Sequence, residues 1–264
     1  IQKEPIKVKK IVPRLHFGKK LNRIAAAISL LLIVSGIGYY FFSSNKSLNR
    51  ETIVQTYSTI TGKSKFILPD GSEVWLNSHS KLEYKNLHAD MREVELKGEA
   101  FFKVQHDERP FIVKTSDIAV KVHGTQFNVS AYHTDEKSVV SLYEGSVSMH
   151  VLGDDSSNCY LKPGEEGSLD KKDKTIRVEK GDVEFAKMWT NEKVKLENKN
   201  LHEVCKYLSK WYNVKIIIDP ALSDDQSYTF TLHDQSLEDI IRIMSNISSI
   251  NYYFTEDNTL MITL

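Results

Sequence analysis

Nine histidines offer the most obvious chemistry in this chain, metal ligation or proton transfer. None of them pairs with another at the i, i+2 or i+4 spacing that would turn two imidazoles onto one metal. His79, His88, His106, His123, His133, His150, His202 and His233 fall singly in strand-like or turn-like sequence, and His16 stands apart near the N-terminus. The acidic pairs Asp154-Asp155, Glu165-Glu166 and Asp224-Asp225 have the residue types of a hydrolase dyad or of calcium ligands. Each lies in a loop, where acids are common through solvation and Asx-turn geometry. No GxSxG, CxxC, HExxH or phosphate-loop pattern occurs. The residues therefore point away from an enzyme, with no cofactor and no metal expected. Cys159 and Cys205 fall in different predicted domains and read as small core residues without a disulfide. Trp75 and Trp189 could stack on a sugar ring or serve a core.

The elements that position these residues begin with a charge asymmetry. Eight basic residues between Lys3 and Arg23 stand against one acid, Glu4, although the whole chain of 264 residues is formally neutral. An uncharged run of 19 residues follows, Ile24 to Phe42. As a helix it would cross about 28 Å, the thickness of a bilayer's hydrocarbon. Basic residues before it predict a cytoplasmic N-terminus, and Tyr39, Tyr40, Phe41 and Phe42 suit the opposite interface. A cleaved signal peptide is the rival reading, but its apolar core is shorter and ends in small residues. The expected organisation is a basic cytoplasmic segment 1–23, a membrane helix 24–42, a stalk 43–55, a β domain 56–180 and an α+β domain 181–264. Two domains suit the length and the 41% hydrophobic content.

In the β domain, Phe66–Leu76 places Pro69-Asp70-Gly71 between two apolar runs, which predicts a hairpin. Further strands are expected at Arg92–Lys97, Ala100–Gln105, Phe111–Thr115, Ala119–His123, Phe127–His133, Val139–Tyr143 and Ser146–Leu152. KGEAFFKV, HGTQFNV and EGSVSMHV share a polar residue, a glycine and an alternating strand, and a fourth glycine turn follows in PGEEGSL. The recurrence predicts a roll or short solenoid-like stack, with an antiparallel sandwich as the alternative.

The C-terminal segment is duplicated at an offset of 36 residues. Leu196 then matches Leu232, Leu201 Leu237, Val204 Ile240, Leu208 Met244, Val214 Ile250 and Ile216 Tyr252. Each half reads as strand, helix, strand, with Asn200 and Glu203 capping one helix and Ser236 and Asp239 the other. Two β-α-β units on one sheet are expected, with a last strand at Thr259–Leu264. If Val214, Ile216, Ile218, Ile250, Tyr252 and Phe254 face the core, the period of two sends Lys215, Ile217, Asn251 and Tyr253 outward. Apolar Ile217 and Tyr253 on that face predict packing against the first domain or a partner-binding surface.

KGEAFFKV, HGTQFNV, LPDGSEVWLN and LYEGSVSMHV together resemble the FecR family of transmembrane sigma-factor regulators, over about Gln55 to Leu169. From about Val183 the chain resembles the C-terminal domain of many FecR-like proteins, itself similar to the short N-terminal domain of secretins and TonB-dependent transducers. The resemblance implies an anti-sigma factor in the inner membrane, with its C-terminal domains periplasmic. A TonB-dependent outer-membrane transducer would touch those domains, by strand addition to a sheet edge. An extracytoplasmic-function sigma factor would be held by a helical domain before the span, and proteases are possible regulatory partners. The 23 residues before the span, with Pro5 and Pro13, are too short and broken for that domain. The sigma-binding part is therefore expected to be missing from this chain or lost. Nucleic acid is not an expected partner, since the basic run is explained by membrane orientation. A membrane-anchored glycan-binding or structural module is the alternative function, and a tethered hydrolase a third.

Overall fold

Short runs of alternating apolar and polar residues make every helix or strand element among the described residues from Val54 to Lys180 a strand. The computed structural model describes residues 18–45, 54–85 and 90–264. In order they are β1 (Val54–Thr59), β2 (Ser64–Ile67), β3 (Glu73–Leu76), β4 (Ser80–Lys85), β5 (Arg92–Lys103), β6 (Phe111–Lys114) and β7 (Ile118–Val122). There follow β8 (Gln126–Ala131), β9 (Lys137–Glu144), β10 (Val147–Val151), β11 (Asp154–Leu161), β12 (Glu165–Asp170) and β13 (Thr175–Lys180).

The predicted hairpin is present, β2 pairing antiparallel with β3 around Gly71 at φ +84°. The strands expected at Arg92–Lys97 and Ala100–Gln105 are instead one twelve-residue strand, β5. It belongs to two sheets at once. Its first half pairs antiparallel with β4 and parallel with β6, and its second half pairs antiparallel with β3 and β8. One sheet thus runs β1-β4-β5-β6-β7-β10-β11 and the other β2-β3-β5-β8-β9-β12-β13. Among the described residues the thirteen strands make one continuous, nearly closed sheet around a single apolar core that includes Leu76, Leu96, Phe102, Phe111, Phe127 and Leu142. The expected stacked coils are not formed, because β8, β9 and β12 run antiparallel as sheet neighbours.

Gly98 lets β5 pass from one sheet to the other. Its φ is +97°, and a Cβ there would stand 2.3 Å from Ser80 Oγ and 2.9 Å from the Ser80 Cα. The same Ser80 hydroxyl accepts the backbone N–H of Glu99, the next residue, so the crossover is held as well as permitted.

The C-terminal module starts with a short helix, α2 (Val183–Lys187), and a 3-10 turn (Met188–Thr190), then continues as predicted. Its elements are β14 (Val194–Lys199), α3 (Leu201–Tyr212), β15 (Ile216–Ile218), β16 (Tyr228–Leu232), α4 (Leu237–Ile247), β17 (Asn251–Phe254) and β18 (Leu260–Thr263). Asn200 and Glu203 form the capping box, and Ser236 accepts the Asp239 N–H. The arrangement on one sheet is corrected: β14 pairs with β16, while β15, β18 and β17 form a second sheet with β18 in the middle. Each helix therefore carries the chain from one sheet to the other. Apolar residues of α3 and α4 must be covered from both sides, and one core joins Leu196 and Leu232 of the first sheet with Leu260 and Ile262 of the second.

Residues Thr52–Leu264 form one compact unit and Ile1–Glu51 another. The latter holds α1 (Gly18–Asn45), which encloses the run Ile24–Phe42. Its described side chains, 27–40, are all exposed. Among the described residues no helix is long and apolar enough to cross a membrane. Most of the expected segments 1–23 and 43–55 lies outside the described residues.

Gly98→Ala should destabilise the Thr52–Leu264 unit by about 3 kcal/mol or more, since left-handed strain adds to a backbone clash. Urea denaturation would show it as a lower midpoint.

Candidate functional site at the junction of the two modules

Glu99 follows the crossover glycine directly, and its side chain is almost wholly buried. A carboxylate in that position needs donors. Asn77, at the end of β3, donates its amide to Oε2 at 2.8 Å, and Asn128 of β8 donates to Oε1 at 2.8 Å. The counter-charge comes from the other module: Lys210 in the last turn of α3 pairs with Oε1. The carbonyl oxygen of Asn128 has no partner among the described residues, as expected of an amide turned to serve the carboxylate. Tyr132 donates its hydroxyl to the Ser78 carbonyl at 2.9 Å. Burial, reinforced by the Glu99 charge, pushes that phenol up, so it stays protonated.

Two more lysines bind the modules together. Lys63, between β1 and β2, donates to the carbonyls of Trp189 (2.8 Å) and Asn191, and lies 3.7 Å from the centre of the Trp211 ring. Lys187 of α2 lies 3.5 Å over the Tyr143 ring of β9. Burial lowers the Lys63 ammonium from its ordinary 10.5 to about 8, against the opposing charges of Asp234 and Glu192. Asn213, which ends α3 in the left-handed conformation, reaches the Ser78 carbonyl at 3.5 Å.

Sequence reasoning did not single out this junction. The available signal was the set of polar residues inside apolar strand motifs: Asn77 in LPDGSEVWLN, Glu99 in KGEAFFKV and Asn128 in HGTQFNV. A second buried pair joins the same motifs, Arg92 to Asp70 at 2.9 Å, with the Arg92 guanidinium also donating to the carbonyls of Gln105, Arg109 and His123.

Lys215, Ile217, Asn251 and Tyr253 are all exposed, and the structure brings them together on one face of the β15-β18-β17 sheet. Ile217 and Tyr253 both lie opposite Met261 of the central strand, so the three form one cross-strand row. Packing against the first domain is therefore not what these apolar residues do: Ile217 is 39% exposed and Tyr253 52%. Phe254, expected in the core, is also exposed. A second surface went unrecognised in the sequence. Among the described residues β14 is the only strand paired with β16, which leaves the other edge of β16 open. Beside it is an apolar cleft of about 210 Å³ lined by Tyr228, Phe230, Ile240, Ile243, Met244 and Ile247.

Of the residues with potential chemistry, Trp189 is completely buried, and Trp75 packs edge-on against Phe101 with Lys65 over its ring. Neither presents an open stacking face. Cys205 is a core residue whose thiol burial pushes up to about 12, and Cys159 packs against the β core. Asp224 accepts from His202 at 2.7 Å in an exposed pair. Among the described residues no three His, Cys, Asp or Glu converge on a metal position.

Two modules are thus joined through buried polar groups, and the C-terminal one carries an exposed apolar row and an open strand edge. Comparison with known proteins gives the family. Residues 55–148 match the FecR protein family and residues 193–262 match the FecR C-terminal domain, and the chain belongs to the FecR family. Two crystal structures of a candidate anti-sigma factor from Parabacteroides distasonis are similar to it at 29% identity. Their TM-scores are 0.57 and 0.56, with 80% and 79% of this chain covered and 99% and 98% of theirs. No curated protein matches the chain. The family and these neighbours support a role in sigma-factor regulation.

Lys210→Met leaves Glu99 buried with amide donors alone and should cost about 3–5 kcal/mol. Glu99→Gln should cost less, because Lys210 is already 20% exposed and can turn to solvent. The double variant should recover part of the loss, with a coupling above about 1 kcal/mol in a urea-denaturation cycle. Lys63 gives a pH signature. Between about pH 8 and 10.5 the unfolded chain holds a proton that folded Lys63 has released, so this group's contribution to stability rises with pH in that window. Urea midpoints at pH 8 and pH 10 should therefore rise in the parent chain relative to Lys63→Met.

Proposed function

We propose that this protein is a membrane-anchored regulator of an extracytoplasmic-function sigma factor, and that Thr52–Leu264 receives its signal from a TonB-dependent outer-membrane transducer. The observation that carries the reading is the open edge of β16 beside an apolar cleft. An added strand would gain main-chain hydrogen bonds along β16 and set alternate side chains against Ile243 and Ile247, which are 54% and 70% exposed. The row through Ile217, Met261 and Tyr253, flanked by Lys215 and Asn251, supplies a second contact surface on the same module. The likeness of this module to the short N-terminal domain of secretins and transducers belongs to the same proposal.

Anchoring rests on composition. The apolar run Ile24–Phe42 has no polar face, a basic segment precedes it, and α1 exposes Leu30, Leu31, Leu32 and Val34. This orientation places the N-terminus in the cytoplasm and the two modules in the periplasm. The output passes to a sigma-binding segment on the cytoplasmic side.

The test is capture of residues 46–264 by the signalling domain of a TonB-dependent transducer. Ile247→Asp should weaken capture by about tenfold or more, and Ile217→Asp or Tyr253→Asp should weaken it less. All three should keep a cooperative melt, because substitutions at exposed positions cost about 0.5 kcal/mol or less. Absence of capture by every transducer encoded nearby would overturn the reading.

A further inference from the structure

The sheet bearing β7, β10 and β11 has on its solvent side a depression of about 440 Å³ that none of the features above uses. Alternation builds it. Val120, Val122, Val147, Met149 and Leu161 turn into the core, which sends Lys121, His123, Ser148, His150, Asn158 and Tyr160 to the other side. Register then aligns them: Ser148 lies opposite Lys121 on one neighbouring strand and opposite Tyr160 on the other.

The polar groups are already ordered among themselves. The Ser148 hydroxyl donates to Asn158 Oδ1 at 2.6 Å, and Asn158 Nδ2 donates to the Tyr160 hydroxyl oxygen at 3.1 Å. This leaves the second amide hydrogen of Asn158 and the Tyr160 phenolic hydrogen without an acceptor among the described residues. The Tyr160 ring is 73% exposed on an edge strand, a flat apolar surface beside hydrogen-bonding groups. Three nitrogen bases, Lys121, His123 and His150, line the depression, and among the described residues no carboxylate does. Asp154, at one end, is in electrostatic contact with His150.

We propose that this depression binds an acidic oligosaccharide, with a sugar ring on Tyr160, hydroxyls on Asn158 and Ser148, and the acid group toward Lys121 and His123. One aromatic face with a fixed amide suits the C–H face and hydroxyls of a sugar. A single-stranded nucleic acid would call for several stacking rings along a denser cationic groove. A bare phosphate would leave the Tyr160 ring unused. The site is separate from the β16 edge and from the outward row of the C-terminal module, so it does not rest on the transducer reading.

The test is calorimetric titration of the full chain in detergent micelles with three acidic oligosaccharides: a galacturonate hexamer, a glucuronate-containing hexamer and a sialylated trisaccharide. Neutral maltohexaose and a poly-glutamate peptide are the controls. Saturable binding is expected for at least one acidic sugar, about tenfold or more tighter than for maltohexaose. Tyr160→Ala and Lys121→Ala should each weaken it about tenfold with an unchanged melting temperature, since both side chains are exposed. Absence of saturable binding for all three sugars overturns the proposal. So does equal affinity for maltohexaose, affinity unmoved by both substitutions, or tighter binding of poly-glutamate, which would make the depression a protein surface.

Discussion

A carboxylate taken out of water has to be answered by its neighbours, and in this chain Glu99 gathers them from the β module and from the C-terminal module. Its backbone lies on β5, the strand that both β sheets share. Its N–H is held by Ser80, its oxygens by Asn77 and Asn128, and its charge by Lys210 of the other module. Removing any donor leaves a buried charge less satisfied, so the crossover of β5, the loop after β3, strand β8 and the end of α3 are tied to one another. The glycine before Glu99 is part of the same constraint, because only a residue without Cβ lets β5 pass Ser80 closely enough for that contact.

The consequence for function is mechanical. Lys63, Lys187 and Lys210 cross the junction in both directions, two of them over aromatic rings. The C-terminal module is thereby coupled to the β module through specific polar contacts, in place of a flexible linker. A partner that grips the open edge of β16 would load the same α-helical layer that ends in Lys210. Polar junctions of this kind depend on geometry more strongly than apolar ones, since small displacements break hydrogen bonds before they expose area.

Local patterning was legible where it depends on neighbours in sequence. The hairpin at Asp70-Gly71, both helices of the C-terminal module with their caps, and the outward set Lys215, Ile217, Asn251 and Tyr253 follow from turn chemistry and from periods of two and 3.6. The duplication was legible too, but its arrangement was not. Two β-α-β repeats can share one sheet or exchange strands between two, and the apolar pattern is the same in either case. The similar glycine motifs likewise suggested stacked coils, whereas Gly98, the glycine of the first of them, is a crossover between two sheets.

Although it left β11, β12 and β13 as loops and put Phe254 in the core, sequence by itself determined the Asp70-Gly71 hairpin, the two capped helices of the C-terminal module, that an uncharged run precedes two modules, and that Lys215, Ile217, Asn251 and Tyr253 face outward. Those properties are set by residues within one or two turns of each other. Only the tertiary structure decided that β5 serves two sheets, that the repeats divide between two others, and that Glu99 is caged by Asn77, Asn128 and Lys210. Glu99 and Lys210 are more than a hundred residues apart, at a distance over which no periodicity extends. A glutamate in an apolar strand reads as an exposed residue of an alternating pattern until the partner that neutralises it is folded against it.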